Sequence, residues 1–308
     1  MGILILELYL NFSIIKLNLQ KYIFVKIRVL CRKGDFIRNN KKNEFAKEKK
    51  MDIFLVIGIL GGISIVIAGL LMIGSSAAML LNTEAIMIII LGTIMAVMNS
   101  FPKKDFKKIP KIIGVLFSDK NTQDPAEIVT QIVGMSQSTR REGLLSLEST
   151  IQGLDNKFMK KGFEMVIDGL DPDLIREVLE IEIESLEERH RLGASIFATA
   201  GGSAPTLGVL GAVIGLIGAL GNLNDVEALG ESISHAFIAT VYGIFTGYVL
   251  CHPFSSRLKR KSLQEVECMN IILEGVLAIQ AGNNPKSIER KLVGMLEPNQ
   301  RIRFEENK

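Results

Sequence analysis

Pro102-Lys-Lys-Asp-Phe-Lys-Lys-Ile-Pro-Lys111 places six charges in ten residues, shortly after two runs that carry no charged residue, Ile53 to Ile73 and Ala85 to Met98. A helix needs roughly 20 apolar residues to cross a hydrocarbon core about 30 Å thick. The two runs therefore predict a membrane hairpin closed by a basic segment. Two further runs, Leu192 to Gly221 and Ile233 to Pro253, come much later. The expected fold class is all-α: a polytopic membrane protein with four transmembrane helices and a helical cytoplasmic domain inserted between helices 2 and 3.

Orientation follows from the basic residues, because Lys and Arg close to span ends collect on the cytoplasmic side. Lys103, Lys104, Lys107, Lys108 and Lys111 put the exit of span 2 inside, and Arg257, Lys259, Arg260 and Lys261 do the same for span 4. The links 74–83 and 222–231 contain no Lys or Arg, and Glu84, Asp225, Glu227 and Glu231 lie in or beside them, so they are expected to face outward. Residues 51–100 thus hold spans 1 and 2, 101–191 a cytoplasmic domain, 192–254 spans 3 and 4, and 255–308 a cytoplasmic tail. Both termini are expected in the cytoplasm.

The composition agrees with this division. A hydrophobic share of 48% and a mean hydropathy of +0.30 are high for a soluble chain, while 22% charged residues keep much of it in water. The net charge of +3 hides a strong basic excess in the first fifty residues and a mildly acidic remainder. Nothing in this pattern points to nucleic acid. Cys31, Cys251 and Cys268 lack metal-ligand spacing and read as free thiols of a reducing compartment. No phosphate loop, metal cluster or nucleophile constellation suggests an enzyme, and no cofactor is implied.

Residues 1–50 join an apolar start, MGILILELYL, to a lysine-rich end. Glu7 interrupts the apolar part and the basic residues follow it, which is the reverse of a signal peptide. Met51 stands directly before span 1, and Lys47-Glu-Lys-Lys50 is encoded by a purine tract able to contain a ribosome-binding site. The expected native start is Met51, which leaves 1–50 outside the protein.

Ionisable groups inside a membrane are costly and usually mark a path for ions. Apart from Glu84, His235 and His252 near span ends, the four spans contain none except tyrosine and cysteine. If the chain conducts ions, the carboxylate comes from another subunit. His190 and His252 read as boundary residues rather than proton relays, and His235 as a packing or interfacial hydrogen-bonding group. Gly208, Gly211, Gly215 and Gly218 recur in span 3 at three- and four-residue steps, a small-residue stripe that lets backbones approach closely. The stripe fits either packing within one chain or packing against neighbouring subunits and a central partner helix. Pro205 cannot donate to the carbonyl of Gly201, so it predicts a kink or a free acceptor. Thr240 offers a hydroxyl near the same depth of span 4, and Thr246 another closer to the cytoplasm.

With these residues in view the chain resembles the A subunit of bacterial flagellar motor stators (MotA/PomA), within the wider proton-channel family that includes ExbB and TolQ. The resemblance covers essentially Met51 to Glu297. It rests on Ala204-Pro-Thr-Leu-Gly-Val-Leu-Gly-Ala-Val-Ile-Gly-Leu216, His235-Ala-Phe-Ile-Ala-Thr-Val-Tyr-Gly243 and Leu277-Ala-Ile-Gln-Ala-Gly-Asn-Asn-Pro285. It implies that Pro205, Pro253 and Thr240 border the ion path. Sodium-driven members typically have threonine where this chain has Ala212, so the resemblance favours H⁺ over Na⁺ as the transported ion.

Arg140-Arg-Glu-Gly-Leu-Leu-Ser-Leu-Glu148 resembles the stretch that meets the rotor protein FliG, which assigns that role to Arg140 and Glu148, with Arg141 an alternative to Arg140. On one continuous helix the pair would stand about 12 Å apart along the axis and within roughly a quarter turn, presenting both signs on one rigid face. After Asp171-Pro, an acidic amphipathic run from Leu174 to His190 predicts a long helix that continues below span 3.

The resemblance further implies a B subunit (MotB/PomB type) with an essential transmembrane aspartate and a peptidoglycan-binding domain. A homo-oligomer, a pentamer of A chains around two B subunits, is implied in the lipid of the bacterial inner membrane. An ExbB/TolQ-like energiser of an envelope machine is the alternative within the superfamily, although such relatives usually have fewer spans. A non-conducting membrane scaffold is the alternative from another class.

Overall fold

The computed structural model describes residues 52–74, 77–118, 124–221 and 223–306, all within one compact unit, Lys49–Lys308. The expected start at Met51 and the reading of 1–50 as an extension lie outside the described residues. Among the described residues helices carry the fold and no extended strand forms. Four helices are long and apolar enough to cross a membrane: α1 (Ile53–Met72), α2 (Thr83–Ser100), α7 (Pro172–Leu220) and α8 (Val226–Gln280). Between α2 and α7 lie α3 (Ile109–Phe117), α4 (Pro125–Glu142), α5 (Leu147–Gln152) and α6 (Lys157–Ile167); α9 (Pro285–Met295) and α10 (Pro298–Glu306) follow α8.

Local chemistry fixes where most of these helices begin. Asp or Asn occupies the N-cap of α1, α2, α4, α6, α7, α8 and α9, where its side-chain oxygen accepts a backbone N–H of the first turn. Pro125, Pro172 and Pro285 stand just inside the start of α4, α7 and α9, where a missing N–H costs nothing. The Asp171-Pro172 start anticipated from sequence is the observed one. From there α7 runs for 49 residues without a break through Pro205.

Residues 125–183 and 268–304 share one hydrophobic core. Phe163, Ile132, Ile175, Leu179, Ile271 and Ile288 are fully buried in it. The lower part of α8 lies close on α4: a Cβ on Gly275 would sit 2.7 Å from Ile132 Cδ1. At the rim, Glu274 accepts from Arg176 at 3.2 Å and also from Lys291. Burial opposes ionisation of Glu274, but these two cations outweigh it and hold its carboxyl below the usual range.

Between this lobe and the spans sits a smaller cluster of Leu55, Leu116, Ala194, Phe197 and Leu258. Phe254 packs edge-on to both Phe117 and Phe197, at 6.2 and 5.9 Å. Ser255 donates to Ala194 O at 2.8 Å, and Lys261 Nζ donates to the carbonyls of Val115, Leu116 and Ser118 at 3.0, 3.1 and 2.8 Å. Lys261 thereby satisfies the orphan carbonyls at the C-terminus of α3.

Candidate functional site

In hydrocarbon there is no hydrophobic drive between helices, so association depends on close backbone contact. The approach of α7 to α8 has this character. A Cβ on Gly243 would lie 2.6 Å from Ala204 O and 2.8 Å from Gly208 Cα, and one on Gly215 would lie 2.8 Å from Ala236 Cβ. Gly211 meets Ala239 in the same way, at 3.0 Å. Three of the four stripe glycines, Gly208, Gly211 and Gly215, thus face α8 of the same chain, whereas Gly218 has open space where a Cβ would go. The face of α7 turned away from α8 exposes Val209, Val213 and Ile217 instead.

Pro205 lies in the same interface. Its ring and the carbonyl that it deprives of a helical donor, Gly201 O, both rest on Gly247, where a Cβ would be 2.6 Å from Pro205 Cγ and 2.7 Å from Gly201 O. The glycine Cα–H therefore covers the freed carbonyl in place of an N–H. Gly247 is carried by a π-helical window, Phe245–Cys251, that widens α8 before the helix resumes at His252. Pro253, which has no N–H to give, stands one residue after His252, the first residue past that window, and is itself exposed. A second window, Met87–Leu91, interrupts α2.

Thr240 is half-buried on α8, with its hydroxyl 3.5 Å from both Gly208 O and Ala236 O. At that length neither bond is strong, so the hydroxyl is shared between its own helix and α7. Ala212 is half-buried one turn beyond Gly208. The structure brings Pro205, Gly208 and Thr240 to one interface and leaves Pro253 more than three turns further along α8. Sequence reasoning missed Gly247, and also Thr93, whose hydroxyl is buried in α2 without a hydrogen-bond partner among the described residues.

A third missed group is Asp52. It caps α1 through Leu55 N at 3.2 Å, donates its own N–H to Phe117 O at 3.0 Å and forms an ion pair with Arg257. Burial raises the tendency of this carboxyl to keep its proton, but Arg257 and the Leu55 N–H prevail and hold its pKa below 3.8. One buried aspartate therefore joins the start of span 1, the end of α3 and the base of span 4.

The expectation of one rigid helix carrying Arg140 and Glu148 is corrected. α4 ends at Glu142, and Gly143 adopts φ +84°, a conformation that side chains with a Cβ rarely take. A single 3₁₀ turn, Leu144–Ser146, separates it from α5, so Arg140 and Arg141 end one helix and Glu148 stands in the first turn of another. All three side chains are exposed, as is Leu145 between them. Both signs sit at helix termini that favour them, cations at a C-terminus and an anion at an N-terminus.

Comparison with known proteins places this geometry. The model of the MotA/TolQ/ExbB proton channel family matches residues 150–271. The chain is similar to Motility protein A of Bacillus subtilis, 46% identical over 256 residues that cover 83% of this chain and 95% of that protein. It is also similar to Chemotaxis protein PomA of Vibrio alginolyticus, 33% identical over 251 residues covering 82% and 98%. Among solved structures, the flagellar MotAB stator complex from Bacillus subtilis contains a chain that matches with a TM-score of 0.76 at 46% identity, covering 81% of this chain and 98% of that one.

Proposed function

We propose a working arrangement for this chain, which belongs to the MotA/TolQ/ExbB proton channel family and is a flagellar motor stator subunit of the MotA kind. It forms an ion channel with a MotB-type subunit and converts ion flow into rotor torque. The observation that carries the reading is the α7–α8 interface. Pro205, a freed backbone carbonyl and the Thr240 hydroxyl meet in spans that have no carboxylate of their own. An acidic group on a partner helix completes such a path, because protonating it removes a charge beside these groups and changes how that helix packs.

The transported ion is the proton. Na⁺ is a hard cation that needs oxygen ligands, and Ala212 supplies none where a threonine would. The A chains form a ring, a pentamer around two B subunits, in the bacterial inner membrane with both termini in the cytoplasm. Protonation and release at the partner's aspartate step the ring around the B dimer. The lobe pushes on FliG through Arg140, Arg141 and Glu148, which the turn at Gly143 presents from two helix ends. Pro253, after the π-helical window, borders the cytoplasmic end of the path.

Deleting the gene and scoring soft-agar spreading, with filaments checked by microscopy, tests the role. Cells with filaments that do not turn support it; unaltered spreading counts against it. Swimming that persists without sodium and stops with a protonophore supports the proton, and the opposite pattern identifies sodium.

A further inference from the structure

His252 lies on the cytoplasmic side of the Pro205 contact and has no part in the arrangement above. Its half-buried ring is stacked on Tyr248, with centroids 5.3 Å apart and planes at 26°. It also lies on Gly201, where a Cβ would be 2.9 Å from the ring's Cδ2. Gly201 is the residue whose carbonyl Pro205 deprives of its helical donor. A further carbonyl is orphaned beside the ring. The backbone N–H of His252 bonds to Gly247 O at the end of the π-helical window, and so does not return to Tyr248 O. Pro253, which would reach Tyr248 O in π register, has no N–H. The Tyr248 carbonyl thus lacks an intrahelical donor one turn from an imidazole.

We propose that His252 and the Tyr248 carbonyl form the cytoplasmic-side proton-accepting site of the ion path. The site rests on the proton-conducting reading given above and adds to it a residue of this chain that takes the proton. The carbonyl accepts a hydrogen bond from a hydrated proton arriving from the partner's carboxylic acid. Neutral imidazole then takes that proton on its free ring nitrogen, and the imidazolium passes a proton to cytoplasmic water. The ring returns to its neutral form and nothing is consumed. Imidazole suits the step because it is the side chain that gains and loses charge between pH 5 and 8.

Its surroundings leave the proton free to move on. On its own helix the neighbours are Tyr248, Cys251 and, further along, Arg257, which is paired with Asp52. α7 presents Gly201, and neither α1 between Ile53 and Met72 nor α2 between Ala85 and Ser100 carries a charged side chain. His190, lower on α7, is engaged with Ser262 at 3.1 Å.

The test uses the full-length chain with its B-type partner, carrying His252→Gln or His252→Phe. Gln keeps hydrogen-bonding capacity without taking up a proton, and Phe keeps the stack on Tyr248. Rotation of tethered cells is followed while a permeant weak acid lowers cytoplasmic pH from about 8 to about 6. Both variants are expected to co-purify with the partner at wild-type yield and to rotate about a hundredfold more slowly, the lower end of what a positioned proton acceptor contributes. The wild type is expected to slow as the cytoplasmic pH falls, and both variants to lose that dependence. If Phe does not assemble, Gln decides. A Gln variant that keeps the wild-type pH profile, at any speed, overturns the proposal while leaving a protonophore-sensitive wild type in place. A wild type that ignores the protonophore overturns the proton reading and this site together.

Discussion

The helical lobe and the membrane spans of this chain are held together by opposite means. In the lobe, large side chains such as Phe163, Ile132 and Ile271 interlock in a common core away from water. In the spans the large side chains point outward, as with Phe54, Ile65 and Ile217, and the helices meet through Gly208, Gly243 and Gly247. Water rewards the removal of apolar area; lipid does not, so close backbone contact is what remains to bind helices there. The lobe should therefore fail when side chains are made smaller, and the spans when they are made larger.

The largest effect expected from this contrast is Phe163→Ala, which removes a fully buried ring at a cost of about 3–5 kcal/mol. The lobe should lose resistance to proteolysis in purified membranes while α1 and α2 stay inserted. A lobe that keeps full resistance would erase the distinction. Next is Gly247→Ala, a single added methyl at 2.6 Å from Pro205 Cγ. Overpacking of this kind costs about 1–3 kcal/mol. Here the lobe should remain resistant while soft-agar spreading is lost; normal spreading would show that the interface gives way easily.

Asp52→Asn sharpens the comparison at the boundary between the two regions. The folded-state pKa of Asp52 is depressed, so its stabilisation is present above the ordinary value of 3.8 and disappears as pH falls through the lower folded value. The variant should melt earlier by about 1 kcal/mol at neutral pH, and the gap should close in acid. A gap that persists in acid would assign the loss to packing. Smallest in stability is Arg140→Gln with Glu148→Gln, expected within about 0.5 kcal/mol of wild type because both side chains are exposed. Swimming should nevertheless slow with assembly intact, and unchanged swimming would rule out the rotor contact proposed for this pair.

The two regions also differ in how much of them is legible in the sequence. Four uncharged runs are a one-dimensional signal, and so are Pro205 and the Asp171-Pro172 helix start. The single helix expected for Arg140 to Glu148 fails at Gly143, because eight-residue spacing is informative only while the backbone stays helical. Gly247 gives no signal, since its role depends on a π-helical window and on a proline in another helix. Asp52 gives none either, because its partner Arg257 is 205 positions away. Pairings of that kind are made by the fold.

The unbroken run of α7 from the lobe into the membrane has a mechanical meaning. At 1.5 Å per residue, Pro172 to Pro205 measures about 50 Å. A tilt of about 5° around Pro205 would then swing the lower end by about 4 Å, a bond-scale adjustment at one end becoming a side-chain-scale stroke at the other. With α8 continuous over 55 residues beside it, the chain is geared as a pair of stiff levers whose fulcrum is the glycine-lined contact between them.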